Sequence, residues 1–219
     1  MNWPKNSSDK FMNKNLIHDH LSNSIEAKKA LLKTSVETIE KVSEEILNAV
    51  LRGNKILFFG NGGSASDAQH LAAEFVGRYE KERKGLPSIA LTTDTSILTA
   101  VANDYAYDQI FSRQIEALGQ PGDVAFGIST SGNSKNVNHA IQFANENGLV
   151  TVGMSGKTGG ELAKLAQYNI IVPSTVTAHI QESHICIGHA ICKYIDAHIP
   201  ESSSIVLRPA NRISMLEKS

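Results

Sequence analysis

The stretch Lys55-Ile-Leu-Phe-Phe-Gly-Asn-Gly-Gly-Ser64 decides the fold. A short apolar run ends in glycines and a hydroxyl, and a helical pattern begins near Ser64. Strands that are apolar at every position are buried on both faces, as in a parallel sheet covered by helices. The same handover recurs downstream, where residues 123–128 run into Ser129-Thr130-Ser131-Gly132-Asn133-Ser134 just ahead of another helical pattern. Further strand patterns lie at 88–92, 150–154 and 169–172. Helical patterns begin near Thr95, Gly159 and Thr177, the last running to about His198. Short strands alternating with helices imply βαβ units. The expected fold is therefore a single three-layer α/β domain, with a parallel sheet flanked by helices.

Upstream, Leu32, Val36, Ile39, Val42, Ile46 and Val50 recur at spacings of three and four. This predicts one long amphipathic helix over 31–51, an N-terminal helical extension that stops near Gly53. The polar segment to about Leu16 reads as frayed. No linker or low-complexity stretch divides the chain. The expected organisation is a flexible segment at 1–20, the domain with its N-terminal helix at 21–198, and a tail at 199–219.

Composition narrows the function. The 219 residues are 41% hydrophobic and 20% charged, with a formal net charge of −1. That balance is ordinary for a globular chain and lacks the basic footprint of a nucleic-acid binder. No apolar stretch approaches the ~20 residues that cross a bilayer. The first twenty residues carry no apolar core of a secretory signal, so a cytoplasmic location is expected. Cys186 and Cys192 are six apart in an apolar helical pattern, poorly placed to pair on one helix. They read as buried free thiols, consistent with a reducing compartment.

Both strand-to-helix loops suit an anion. Glycine lets the backbone approach closely, and amides at a helix start point outward along a favourable dipole. Four hydroxyls among residues 129–134 add donors beyond what a turn requires. Two such loops at strand carboxyl ends share one crevice and point to a phosphorylated small molecule. Residues 60–65 also satisfy G-x-G-x-x-A, but that fingerprint expects an acid about 20 positions on at the end of the next strand; here the next strand pattern ends much later, with Asp94 the first acid after it.

The helix after the first loop carries His70, Glu74 and Arg78 at i, i+4 and i+8, so His70 and Glu74 share a face. The reading left open is a metal or proton network against a solvated polar stripe. On the last long helix, Gln181 and His189 are eight apart, about 80° of rotation, and can face one pocket. His139, His179, His184 and His198 read as structural or surface residues. A His and a carboxylate in a phosphate crevice suit acid–base work. If the two helices converge, His70, Glu74, Gln181 and His189 form a mixed N/O set suited to zinc or a similar ion.

The segments at 60–74, Leu91-Thr-Thr-Asp94, Asn103-Asp104, 127–134 and 180–189 closely resemble the bacterial phosphoheptose isomerases of the sugar-isomerase (SIS) domain superfamily. The likeness runs from about Ile25 to Tyr194 with order and spacing kept. It implies a SIS fold and interconversion of sedoheptulose 7-phosphate and D-glycero-D-manno-heptose 7-phosphate through an enediol. That is the first step towards nucleotide-activated heptose for lipopolysaccharide, capsule or another glycan. By the resemblance, Glu74 is the base and His189 its partner acid/base. His70, Glu74, Gln181 and His189 match zinc ligands, one ion per subunit. Ser129, Thr130, Ser131 and Ser134 match the phosphate cradle. Asn61, Gly62, Gly63, Glu74, Asn103, Asp104 and Gln181 match the remaining substrate contacts. A cytoplasmic homotetramer is implied, with no nucleic-acid or membrane partner. Arg78 is expected to orient Glu74. His179 departs from the pattern, standing where relatives commonly carry Arg.

Two other readings compete. Non-catalytic SIS adaptors that bind the bacterial replication initiator look similar across the same loops, but lack equivalents of Glu74 and His189. Sugar-phosphate-sensing regulatory domains usually carry a helix-turn-helix segment, and none with a basic face is present here.

Overall fold

A computed structural model describes residues 13–200; the expectations for 1–12 and 201–219 fall outside the described residues. Five strands, β1 (Ile56–Gly60), β2 (Ser88–Ala90), β3 (Val124–Ser129), β4 (Val150–Gly156) and β5 (Tyr168–Val172), form one sheet of order β2-β1-β3-β4-β5. Every pairing is parallel. The chain moves outward from β1 to β2, then returns to the other side of β1 for β3. That reversal places a crevice between the carboxyl ends of β1 and β3, where ligands of open α/β sheets bind. Gly60 pairs with Ile128, so both loops leave the sheet at the same level.

Among the described residues eight α-helices complete the layers: α1 (Asn13–Thr34), α2 (Val36–Leu51), α3 (Gly63–Val76), α4 (Thr95–Asp104), α5 (Ser112–Leu118), α6 (Lys135–Glu146), α7 (Leu162–Leu165) and α8 (Thr177–His198). The expected single helix over 31–51 is corrected to two segments that meet at Ser35. There the Thr34 hydroxyl donates back to the Ala30 carbonyl at 3.2 Å and lies 3.1 Å from Ser35 Oγ, local bonding that competes with helix continuity. Helix α1 also begins inside the segment expected to be flexible. The pattern starting near Gly159 yields only the four-residue α7, and α5 with a preceding 3₁₀ turn (Tyr107–Gln109) was not foreseen.

Alternation along β1 sorts its side chains onto two cores. Ile56 and Phe58 join Ile46, Phe75, Ile187 and Ile195 beneath α2, α3 and α8, while Leu57 and Phe59 join Phe111, Val137 and Ile141 beneath α5 and α6. Phe58 sits at the middle of the first core, its ring centroid 5.1 Å from Phe126 and 5.9 Å from Phe75. Cys192 is buried as expected, and burial pushes its thiol up to about 12. Cys186 is exposed, a correction: it lies on the α8 flank facing an open apolar groove with Leu31, Leu32 and Val36 rather than on the sheet side.

His184 is fully buried, with Nε2 3.1 Å from the Ser155 carbonyl of β4, the structural role read from sequence. Burial depresses its pKa to about 4, the bond to Ser155 opposing.

Two tests follow from this packing. Phe58→Ala should lower the unfolding free energy by about 3–5 kcal/mol in urea denaturation, since the cavity is enclosed on all sides. For His184, the unfolded chain takes up a proton near the ordinary value of 6.5 and the folded chain only near 4. The unfolded state therefore binds more protons between them, and this contribution to stability is lost as pH falls through that window. In a pH series of denaturation curves, His184→Asn should flatten this part of the acid-side decline relative to wild type.

Candidate active site

Helices α3 and α8 approach closely at one place. A Cβ on Gly188 would lie 2.3 Å from Leu71 Cδ2, so a side chain there would push the helices apart. The neighbours of this contact are His70 and His189. Their Nε2 atoms are 2.9 Å apart, and Glu74 Oε1 is 3.2 Å from the His70 Nε2. One donor atom from each of the three lies within 4.8 Å of the others. A neutral imidazole carries one N–H, so two facing Nε2 atoms need either a single shared proton or a cation between their lone pairs. Two imidazoles and a carboxylate converging this tightly fit a zinc-like ion.

The fourth residue of the expected set, Gln181, is placed at the start of α3, its amide packed over Gly63. Tyr79, not singled out from sequence, stacks on the His189 ring with centroids 5.5 Å apart. Arg78 is a correction: its Nε pairs with exposed Glu82 at 3.4 Å instead of turning to Glu74. Asp67 precedes His70 by one helical turn and was also missed, although its i,i+3 spacing was visible. Its Oδ2 is buried without a hydrogen-bond partner, and burial raises its pKa to about 6 against the opposing pull of His70. The sign is opposite to that of His184: as pH rises from about 4 to 6, Asp67 lowers stability.

The second loop is a braced cradle. Ser129 and Ser134 hydroxyls lie 2.9 Å apart, and Ser131 Oγ accepts from the Asn133 amide at 3.1 Å. Thr130 is half-buried beside them. Ser134 makes no side-chain cap to α6; its hydroxyl pairs with that of Ser129 at the helix start. Gly132 has φ +68° and a Cβ would strike the Gly159 carbonyl at 1.9 Å, so only glycine fits where the loop rests on the β4–α7 turn.

Asn61 and Asn136 exchange two amide bonds of 2.8 Å across the crevice, and Tyr107 donates to Asn61 Oδ1 at 3.1 Å. This bracket ties the two loops together. It gives the Asn61 side chain a structural partner in addition to its expected place near substrate. Gly62 and Gly63 open α3 as expected, Gly62 at φ +57°. Asn103 and Asp104 are exposed at the end of α4, joined by a 2.8 Å bond.

His139 is exposed on α6 and His198 stacks on Tyr194, both outside this cluster. His179 is buried and contacts His20 of α1 at 3.3 Å.

Comparison with known proteins identifies the family. The family model for the SIS domain matches residues 19–156. The phosphoheptose isomerase of Aneurinibacillus thermoaerophilus is 52% identical over 185 residues, covering 84% of this chain and 93% of the relative. That of Paramagnetospirillum magneticum is 58% identical over 161 residues, covering 74% and 84%. The solved structure of phosphoheptose isomerase from Neisseria gonorrhoeae superposes with a TM-score of 0.79 at 44% identity, covering 83% of this chain and 97% of that one. The chain belongs to the SIS domain family and, within it, to the phosphoheptose isomerases, which makes it an isomerase of sugar phosphates.

Proposed function

We propose that this enzyme interconverts sedoheptulose 7-phosphate and D-glycero-D-manno-heptose 7-phosphate by proton transfer through an enediol. The observation that carries the reading is the convergence of Glu74, His70 and His189 in one cluster, in a chain whose second strand-to-helix loop is a hydroxyl cradle. In this reading Ser129, Thr130, Ser131 and Ser134 grip the phosphate, which fixes where the other end of the sugar lies and lowers the entropic cost of orientation. Gln181, Asn103, Asp104 and the amides of residues 61–63 complete the contacts to the sugar.

The Glu74 carboxylate removes a proton from C1 of the ketose. The C–H electron pair becomes the C1–C2 double bond as the C2 oxygen takes a proton from His189. Return of the carbon-bound proton to C2, with loss of the O1 proton to His189, leaves the aldehyde at C1. One carboxylate serves both directions because it returns the proton it took.

His70, Glu74, Gln181 and His189 would hold a zinc ion. When bound, it supplies positive charge beside the oxygens on which negative charge develops. Glu74 would both help to hold the ion and serve as the base. Work by several subunits is part of the reading. Exposed Leu21, Ile25, Leu32 and Val36 line an apolar strip on α1 and α2 suited to packing in a homotetramer. Among the described residues no helix is long and apolar enough to cross a membrane, in keeping with a cytoplasmic enzyme.

Proton NMR of sedoheptulose 7-phosphate in deuterated water is the direct test. Aldoheptose signals should appear, with deuterium at C2 in the fraction of turnovers in which the proton on Glu74 exchanges with solvent before it returns to carbon. Glu74→Gln should fold normally and slow the exchange by ~10²–10⁴-fold. An unchanged substrate spectrum with folded, zinc-loaded protein would refute the substrate assignment.

Chelation should abolish turnover and added zinc restore it. In calorimetry, His70→Ala should weaken zinc binding by more than the roughly 10–100-fold that loss of an outer partner costs. Full activity after exhaustive chelation would remove zinc from the mechanism.

A further inference from the structure

Helix α8 holds a second polar residue on the face that presents His189. Asp196 follows His189 by i+7, two turns on, and therefore lies on the same side, towards α3 and the segment that leaves it. Asp196 is buried, and so is its partner Arg83. One carboxylate oxygen accepts from Arg83 Nε at 2.6 Å; the other accepts from the backbone amides of Glu80 and Lys81, each at 2.8 Å. Burial pushes this carboxyl up, but the donors from Lys81, Arg83 and Glu80 outweigh it and hold it below the ordinary range.

The remaining guanidinium nitrogens of Arg83 turn to the end of α3. One donates to the carbonyl of Glu74 at 3.0 Å, and the other to the carbonyls of Phe75 at 2.9 Å and Lys84 at 3.3 Å. Carbonyls in a helix's last turn have no partner within the helix. Here one planar cation closes the carbonyl of Glu74, the residue read as the base, and shares that of Phe75 with the Leu86 amide. The amides gripped by Asp196 follow directly after Tyr79, whose ring lies on His189. A single buried ion pair therefore touches both halves of the acid–base couple: Glu74 through its own carbonyl, and His189 through the aromatic ring stacked on it.

We propose that Arg83 and Asp196 are positioning residues that fix Glu74 and His189 relative to each other for proton transfer. The inference rests on the isomerase reading for its kinetic consequence, while its structural core, the placement of Tyr79 on His189, is independent of substrate. Neither residue touches the reacting atoms. Loss of the pair should leave the Ser129–Ser134 cradle intact, because that loop is braced from α6 and the β4–α7 turn. Binding and chemistry should therefore separate.

The test uses full-length zinc-loaded protein carrying Asp196→Asn, Arg83→Lys and the two combined, with Asp196→Glu as the conservative variant. Asp196→Asn and Arg83→Lys should each lower kcat by about tenfold or more with KM changed less than about threefold. The double variant should fall no further than the worse single one, the non-additivity expected of residues acting as a unit. Asp196→Glu should recover part of the loss. In parallel, the His189 Cε1–H signal, assigned by its disappearance in His189→Gln, should move towards its position in Tyr79→Ala as the ring current is lost.

If Asp196→Asn fails to fold, Arg83→Lys, which keeps the charge, carries the same readouts. Equal falls in melting temperature with kcat unchanged and the His189 signal unmoved would assign the pair to stability alone and overturn the proposal. If wild type does not turn over the heptose phosphate, the substrate reading fails. The His189 shift then decides the clamp: movement sustains it and a static signal overturns it.

Discussion

The site depends on the absence of a side chain at position 188. Helices α3 and α8 come from distant parts of the sequence and belong to the same face of the sheet, where ordinary packing would hold their axes about 8–10 Å apart. Gly188 lets Leu71 occupy the space a Cβ would need, and the residues beside that contact, His70 and His189, meet nitrogen to nitrogen. Several otherwise separate facts follow from this approach. Glu74, one turn beyond His70, joins the cluster. Tyr79 can lie on His189, and Asp196 can reach the segment that follows α3. The burial of Ile187 and Ile191 beside Phe75 supplies the driving force that keeps the helices together.

The second constraint is the reversal of strand order at β1. It brings the ends of β1 and β3 side by side, and the Asn61–Asn136 exchange converts that proximity into a fixed separation. An amide pair suits this position because it satisfies both side chains without a net charge, so the crevice keeps its affinity for anions. Asn136 is almost fully buried, and its oxygen also accepts the amide of Val137, which fixes its rotamer.

Much of this was legible in the sequence. The apolar runs at β1 and β3 identified buried parallel strands, and the glycine and hydroxyl residues after them marked the ligand ends. His70 and Glu74 declare their neighbour spacing directly. Their meeting with His189 does not follow from spacing, because a residue-to-residue period says nothing about which helices touch. The signal was Gly188 within an apolar helical run, informative only once its partner Leu71 is known. The break at Ser35 escaped because apolar periodicity continues straight through it, and the competing hydroxyl bonds of Thr34 and Ser35 leave no trace in that pattern. Arg83 and Asp196 were hidden for a different reason: each looks like an ordinary surface charge until the fold buries both. Arg78 misled in the converse way, since correct helical spacing ended beyond the helix, where the backbone turns off at Gly77.

The sheet itself divides the labour of the site. The helices bearing Glu74 and His189 rest on the core beneath α2, α3 and α8, whereas the helix behind the hydroxyl cradle rests on the core of the opposite face. Side chains in one core do not pack against those of the other; they communicate through the backbone of β1 and β3. Such a partition frees the two halves to drift separately during evolution. A lineage can repack the face behind the hydroxyl loop while inheriting unaltered the face that carries Glu74 and His189.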